Sequence, residues 1–540
     1  MRVAEAFFTS CKGDTTRNPV ETHKFFKELL RNINIPWPER PPSGVDPLDA
    51  FLNLCIRFQI ALWFDIKMAP GKSVKGRKAV YITPSAQHKY LNVKYKKMMR
   101  KDDFTVTKYI DNLLKYFPYE GDANKSKDMV DFYKVFNITK DFALRLDSVT
   151  EEKASALVRL GEIGRDMNVA TDRIIAPLNK YFHPVDRFGV DDFAVMKGKG
   201  IINAVRDLLK DHDPTDVLSH LGWWMIEVYS PIVYRDLFEL KYGDRNYGHK
   251  VGSLFCTTQV ESGFKIMLLA NHVRLNFPPE IKADVDRLLD AVREAAIALY
   301  EESKLPASNK AHITQKIRAV RVNIWPDEQY QSEKRIRQIY AHVNTNQDST
   351  LGYWYTTRLA SALLIGTDAY FEEKRLPRSF ADAAFSYDDV LNSVTMSMLA
   401  AHEPLFYPDH ILLAASYGGI GTQFAKQLLL GVDTETVLND THLDSYGADR
   451  NYENASSPEI SSKLGANITH WLAALRAFQA QNVTSLKVGG FSNHRLFFIS
   501  FCHTQTRLST DFDCNQELQG AAAFVDAFSC KKGSRMNPQP

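Results

Sequence analysis

The sequence has no apolar run of the roughly 18–20 residues that would span a bilayer. Its nearest approach, Phe255 to Leu275, is broken by Glu261, Lys265 and His272, so no transmembrane segment is expected in this chain. It also has little imbalance of charge. The 67 Lys and Arg face 64 Asp and Glu, a net charge of +3 over 540 residues. A nucleic-acid binder shows a strong basic excess or stripe, so no nucleic acid is expected as a partner. The one basic run, Lys94, Lys96, Lys97, Arg100 and Lys101, reads as a solvated helix face. No C-x-x-C pair occurs among the six cysteines at 11, 55, 256, 502, 514 and 530, which argues against a zinc ribbon or a thioredoxin motif. There is no internal repeat, no low-complexity tract and no Gly-x-Ser-x-Gly elbow. The N-terminus makes a poor signal peptide, because its apolar run is short and contains Glu5.

What is present is ordinary for a soluble globular chain: 44% hydrophobic and 24% charged residues, with length enough for more than one domain. Composition alone favours a cytosolic chain with buried thiols. Six N-x-S/T triplets, at Asn124, Asn137, Asn439, Asn454, Asn467 and Asn482, point weakly the other way. Helical periodicity marks Pro19 to Asn32, Lys108 to Tyr116, Glu151 to Met167, Ile201 to Lys210, Asp216 to Ser230, Pro279 to Glu302 and Ala311 to Val322. Lys78 to Pro84 reads as a strand, and Asp49 to Asp65 as part of a small β-containing patch. Asp327 to Ser361 is polar and aromatic with weak periodicity. A late aromatic strand is expected at Arg495 to Phe501. The division implied is 1–330, a connecting segment 331–385, and 386–540.

The most informative run is Leu405 to Asp433, in which a Pro-bearing strand end is expected to lead into Tyr417-Gly418-Gly419-Ile420-Gly421 and then a helix. Glycines there permit a tight entry turn and close backbone packing. The Rossmann spacing and the Walker lysine are both absent. In context the run resembles the neprilysin and endothelin-converting-enzyme family of zinc metallopeptidases, whose YGGIG-type turn precedes the metal helix. Phe8-Thr9-Ser10-Cys11, Ile35-Pro36-Trp37-Pro38, Leu221 to Ser230, Arg495 to Phe501 and Ala523 to Pro538 resemble further elements of that family. The resemblance implies a mainly α fold with a small β component in two lobes, a thermolysin-like C-terminal lobe facing a large helical lobe across a cavity.

A zincin needs two histidines at i and i+4 on one helix face and a Glu beside the first to take a proton from the metal-bound water. By the resemblance these positions fall on Lys426, Leu430 and Gln427. The third ligand, a Glu, falls on Ala466. An orienting Asp falls on His470, substrate-gripping Asn-Ala on Thr395-Met396, and a late Arg on Asp513. Gln427 has no carboxylate with which to accept a proton. His402-Glu403 begins a His-Glu pair without a histidine at i+4, and His410, His442 and His470 stand alone, as surface or satisfied core histidines. The helix is therefore expected to be a plain core helix, with Leu428 to Leu430 packed where metal and histidines would sit.

The family uses one zinc ion; no cofactor is expected here. The reading that follows is a non-catalytic pseudo-peptidase that binds a peptide or modulates an active family member. The alternatives are a functional zinc metalloendopeptidase, as the family class implies, and a structural or dimerisation partner. The resemblance further implies an extracellular or cell-surface location, an incomplete N-terminus, since Met1 lies close to Cys11, and a Cys11–Cys256 disulfide. Cys530 would then be unpaired, or paired with Cys502 or Cys514, and Cys55 a buried thiol.

Overall fold

The computed structural model describes residues 2–13, 19–70, 76–85, 103–121, 128–149, 155–183, 187–198, 200–242, 245–345, 347–377, 384–388, 391–432, 468–481, 487–508 and 512–538. The basic run 94–101 and His442 lie outside them. The chain is mainly helical, with three small sheets among the described residues. It divides into two compact units, Met1–Leu268 with Asp327–Lys374, and Leu269–Pro326 with Arg375–Pro540. These units are discontinuous in sequence and so differ from a linear cut at 330 and 385. Residues 327–374 pack back on the first unit because Thr350–Leu363 is a helix, begun by Ser349, whose side chain accepts from the Gly352 N–H. Its weak periodicity reflects burial on most of its faces.

In the first unit, strands β1 (Phe64–Met68), β2 (Ala79–Pro84), β3 (Ser155–Arg159) and β4 (Phe193–Lys197) form one sheet in the order β1-β2-β4-β3. Only β2 and β4 run parallel. Glu151 to Met167 is therefore not one helix. Ser155–Arg159 pairs along β4, and a helix starts only at Leu160; pairing with a distant strand overrides the local period. The helix Pro214–Tyr229 runs through the core, with Asp213 accepting from the Thr215 N–H at its start and every residue from Asp216 to Tyr229 buried. Its His220 is fully satisfied: Trp63 Nε1 donates to Nε2 at 3.3 Å and Nδ1 donates to Thr139 Oγ1 at 2.9 Å. Burial, then the charge of His212, pushes the His220 pKa down to about 3, so the ring is a neutral packing element.

Cys11, on the helix Arg2–Lys12, is bonded to Cys256 with α-carbons 5.7 Å apart. Arg235 Nη1 donates to the Cys11 carbonyl at 2.8 Å, and Phe7 stacks on Tyr353, so the terminal helix is docked as well as cross-linked. Cys256 lies on the helical run Arg245–Asn276, which breaks at Phe264. A second bond joins Cys502 to Cys514, leaving Cys530 and the buried Cys55 as free thiols.

In the second unit, β5 (Arg321–Asn323), β6 (Phe385–Asp388) and β7 (Ser393–Met396) form a sheet with β7 in the middle. The helices Pro279–Glu302 and His470–Gln479 pack on each other. Two expectations are corrected here. Arg495 to Phe501 is no strand but part of the helix Asn493–Leu508, whose buried residues Phe497, Phe498, Phe501, Thr504 and Gln505 recur at helical spacing. Nor is there a strand or tight turn before the glycines. A short 3₁₀ segment, His410–Leu412, and a helical turn, Leu413–Ser416, lead into a π-helical segment, Tyr417–Gly421, and on to the helix Thr422–Leu430. The glycines serve approach: a Cβ on Gly418 would lie 2.2 Å from the Phe497 carbonyl oxygen, and one on Gly419 2.3 Å from that of Leu405.

Gly418→Ala is accordingly expected to destabilise the protein by roughly 1–3 kcal/mol, because overpacking against backbone outweighs the gain in helix propensity. Chemical denaturation read by near-UV dichroism would show a lower midpoint; a midpoint equal to or above wild type would refute this account of the packing. Serine at both Cys11 and Cys256 opens a loop of 245 residues, for which chain entropy sets a loss on the order of 5 kcal/mol. Reductant should lower the unfolding midpoint of wild type far more than that of the double variant, and equal sensitivity would show that this bond contributes little.

Candidate functional site

The helix Thr422–Leu430 carries the positions singled out from the sequence. Its start is held by Thr422, whose Oγ1 donates to the carbonyls of Gly418 and Gly419 at 2.7 and 2.9 Å, while its backbone N–H also reaches the Gly419 carbonyl. Tyr417, immediately before, is buried, and desolvation raises its pKa to about 12 despite the opposing charge of Arg287. Phe424, Ala425 and Leu428 face the core.

Lys426 and Leu430, one turn apart, share the outward face. Lys426 is exposed and Leu430 is 53% exposed, whereas Gln427 is only 7% exposed. Of Leu428 to Leu430, Leu428 alone is fully packed in the core, so the expectation that all three are buried together is corrected for Leu430. A rotation of about 100° per residue places 426 and 430 together on the side away from 424, 425 and 428. An ammonium and an aliphatic side chain offer no lone pair, so the residues present at 426 and 430 do not fit a zinc ion. Ala466 lies outside the described residues. Among the described residues, no group of three or more His, Cys, Asp and Glu is arranged to hold a metal.

His470 opens the helix His470–Gln479 and packs against Phe501. Gln505 Nε2 donates to His470 Nε2 at 3.3 Å, which requires a neutral ring with its lone pair on Nε2. Burial, and then the charge of Lys426, lowers the His470 pKa to about 4. Lys426 also acts on Glu517, whose pKa burial raises and Lys426 partly restores. Lys426, His470 and Glu517 thus form one electrostatic group. Gln505 and Glu517 escaped the sequence reading. The only signal for Gln505 was its i+4 relation to Phe501 on the buried face.

The remaining positions have structural employment. Asp513 caps the short helix Cys514–Leu518, accepting from the Asn515 and Gln516 N–H groups at 2.9 and 3.3 Å. Thr395 sits on β7 opposite Asn323 on one side and Ser386 on the other, so the strand is paired on both edges there. Asn323 Nδ2 lies 3.5 Å from Thr395 Oγ1, and Met396 is fully buried. Of the triplets, Asn137 is exposed on the helix Phe132–Val149; Asn124, Asn439, Asn454, Asn467 and Asn482 lie outside the described residues.

Replacing Lys426 by Met is expected to raise the His470 pKa. The rise should be partial, because burial is the larger cause and remains. Titration of the imidazole C–H resonances by NMR would read this. A His470 pKa that stayed put or fell would separate the two side chains.

Comparison with known proteins places the chain in a family. The model described as Peptidase family M13, for its N-terminal part, matches residues 2–325. The fold is similar to the crystal structure of Mycobacterium tuberculosis zinc metalloprotease Zmp1 in complex with an inhibitor, at TM-score 0.63 and 14% identity, covering 100% of this chain and 87% of that one. PepO from Lactobacillus rhamnosis HN001 gives TM-score 0.61 and 12% identity, covering 99% of this chain and 89% of that one. A Haemonchus galactose-containing glycoprotein complex gives 0.52 and 14%, covering 98% and 90%. No curated protein matches in sequence. The structural likenesses extend over the whole chain and speak for its fold, while the family model covers more than half of its residues; the chain belongs to peptidase family M13.

Proposed function

We propose that this chain is a non-catalytic M13 protein, a pseudo-peptidase that binds peptides or modulates an active relative. The observation that carries the reading is the chemistry of one helix turn. Where a zinc peptidase needs two imidazoles and a carboxylate, the helix Thr422–Leu430 offers an exposed ammonium, a buried amide and an exposed aliphatic. A lysine charge about 4 Å from a divalent ion would cost several kcal/mol even at an effective dielectric near 20. Loss of the general base alone lowers rates by roughly 10²–10⁴, and loss of the metal removes both nucleophile and Lewis acid. The two disulfides suit an oxidising, extracellular setting. Among the described residues no helix is long and apolar enough to cross a membrane.

The test is hydrolysis of a broad fluorogenic peptide set beside a direct peptide-binding measurement. Wild type should bind peptides, or an active M13 enzyme, without chelator-sensitive turnover. Turnover that a zinc chelator abolishes, and that Gln427→Ala also abolishes, would overturn the reading in favour of a functional metalloendopeptidase. Restoring the donors in a K426H/Q427E/L430H/A466E variant should add zinc uptake but give poor catalysis, since Thr395 and Asp513 remain.

A further inference from the structure

Two histidines of the second unit, outside the helix Thr422–Leu430, bring their ring nitrogens as close together as two ligands of one metal. His272 is near the end of the helical run Arg245–Asn276, and His402 directly follows the 3₁₀ turn Met398–Ala401. Their Nε2 atoms are 3.2 Å apart and their rings are tilted by 57°. Two imidazole nitrogens bound tetrahedrally at 2.0–2.1 Å to one metal are about 3.3 Å apart. The observed separation is close to that value. Phe277 packs against both imidazoles, with ring centroids 5.6 and 4.8 Å away, and holds them in place. Both histidines are half-buried, so water can complete the coordination.

We propose that His272 and His402 form a two-histidine clamp for a borderline divalent transition metal such as Zn²⁺ or Cu²⁺, completed by water. Imidazole selects this class over Ca²⁺ and Mg²⁺, which take oxygen ligands. The protons balance. Without metal, Asn276 Nδ2 donates to His272 Nδ1 at 3.1 Å, so His272 carries its proton on Nε2 and donates it to His402 Nε2. His402 then carries its own proton on Nδ1 and is already in the tautomer a metal requires. Metal entry needs one change: the His272 proton moves from Nε2 to Nδ1, and the exposed Asn276 amide turns to accept it through Oδ1. No net proton is released. Asn276 thereby becomes the outer partner that fixes the ring, a role whose loss costs about 10–100-fold in affinity at metal sites.

The clamp does not rest on the pseudo-peptidase reading, because metal held here leaves Gln427 and Leu430 unchanged. The test is calorimetric titration of chelator-stripped full-length protein with Zn²⁺ alone and Cu²⁺ alone. Wild type is expected to take up one equivalent. His272→Ala and His402→Ala should each weaken uptake by more than about tenfold. Asn276→Asp supplies a carboxylate for the Nδ1 proton and should bind at least as tightly as wild type, an outcome a simple His–His hydrogen bond does not produce. Near-UV dichroism of each variant checks that the fold is kept. No uptake by wild type, or equal uptake by wild type and the H272A/H402A double variant, would overturn the proposal.

Discussion

The second unit depends on how closely two backbone segments approach the Tyr417–Gly421 segment. The Leu405 carbonyl accepts the Ile420 N–H at 2.8 Å, and this bond forms because Gly419 leaves nothing between that carbonyl and the helix. On another side the Phe497 carbonyl presses on Gly418 in the same way. With the two approaches fixed, Gly421 can lie against Val292 and Ala474, and the helices Pro279–Glu302, His470–Gln479 and Asn493–Leu508 all pack on this segment. The orientation of the helix Thr422–Leu430 follows: core side chains at 424, 425 and 428 leave 426 and 430 no inward choice. The fold of this region thus relies on small residues and carbonyl geometry.

The outward-facing Lys426 and Leu430 take no part in this packing. Thr422 Oγ1 bonds two carbonyls of the π-helical segment from within the helix, and Gln505 bonds His470 from a neighbouring helix. Lys426 supplies a positive charge felt by both His470 and Glu517.

Much of this was legible in the amino-acid sequence, for identifiable reasons. Helices with one apolar face, such as Pro19–Asn32 and Pro279–Glu302, announce themselves by period. Residue identity at 426, 427 and 430 sufficed to question the chemistry. Segments whose state depends on distant partners were misread: Ser155–Arg159 becomes a strand because β4 lies beside it, and Arg495–Phe501 becomes helix because its aromatic run is covered by Ala415, Phe524 and their neighbours. The glycines were recognised, but not what they approach, since a carbonyl nearly eighty residues away leaves no local trace. Side-chain exposure was likewise hidden: three consecutive leucines look alike on paper, yet Leu428 is core and Leu430 faces out.

The middle position of β7 carries a consequence for recognition. A strand with a free edge can hold any extended peptide through main-chain bonds, which are indifferent to side chains. At Ser393–Thr395 both edges are already taken by β5 and β6. A guest meeting this strand finds side chains in place of open amides and carbonyls. An extended peptide laid along it would have no free main-chain edge to pair with.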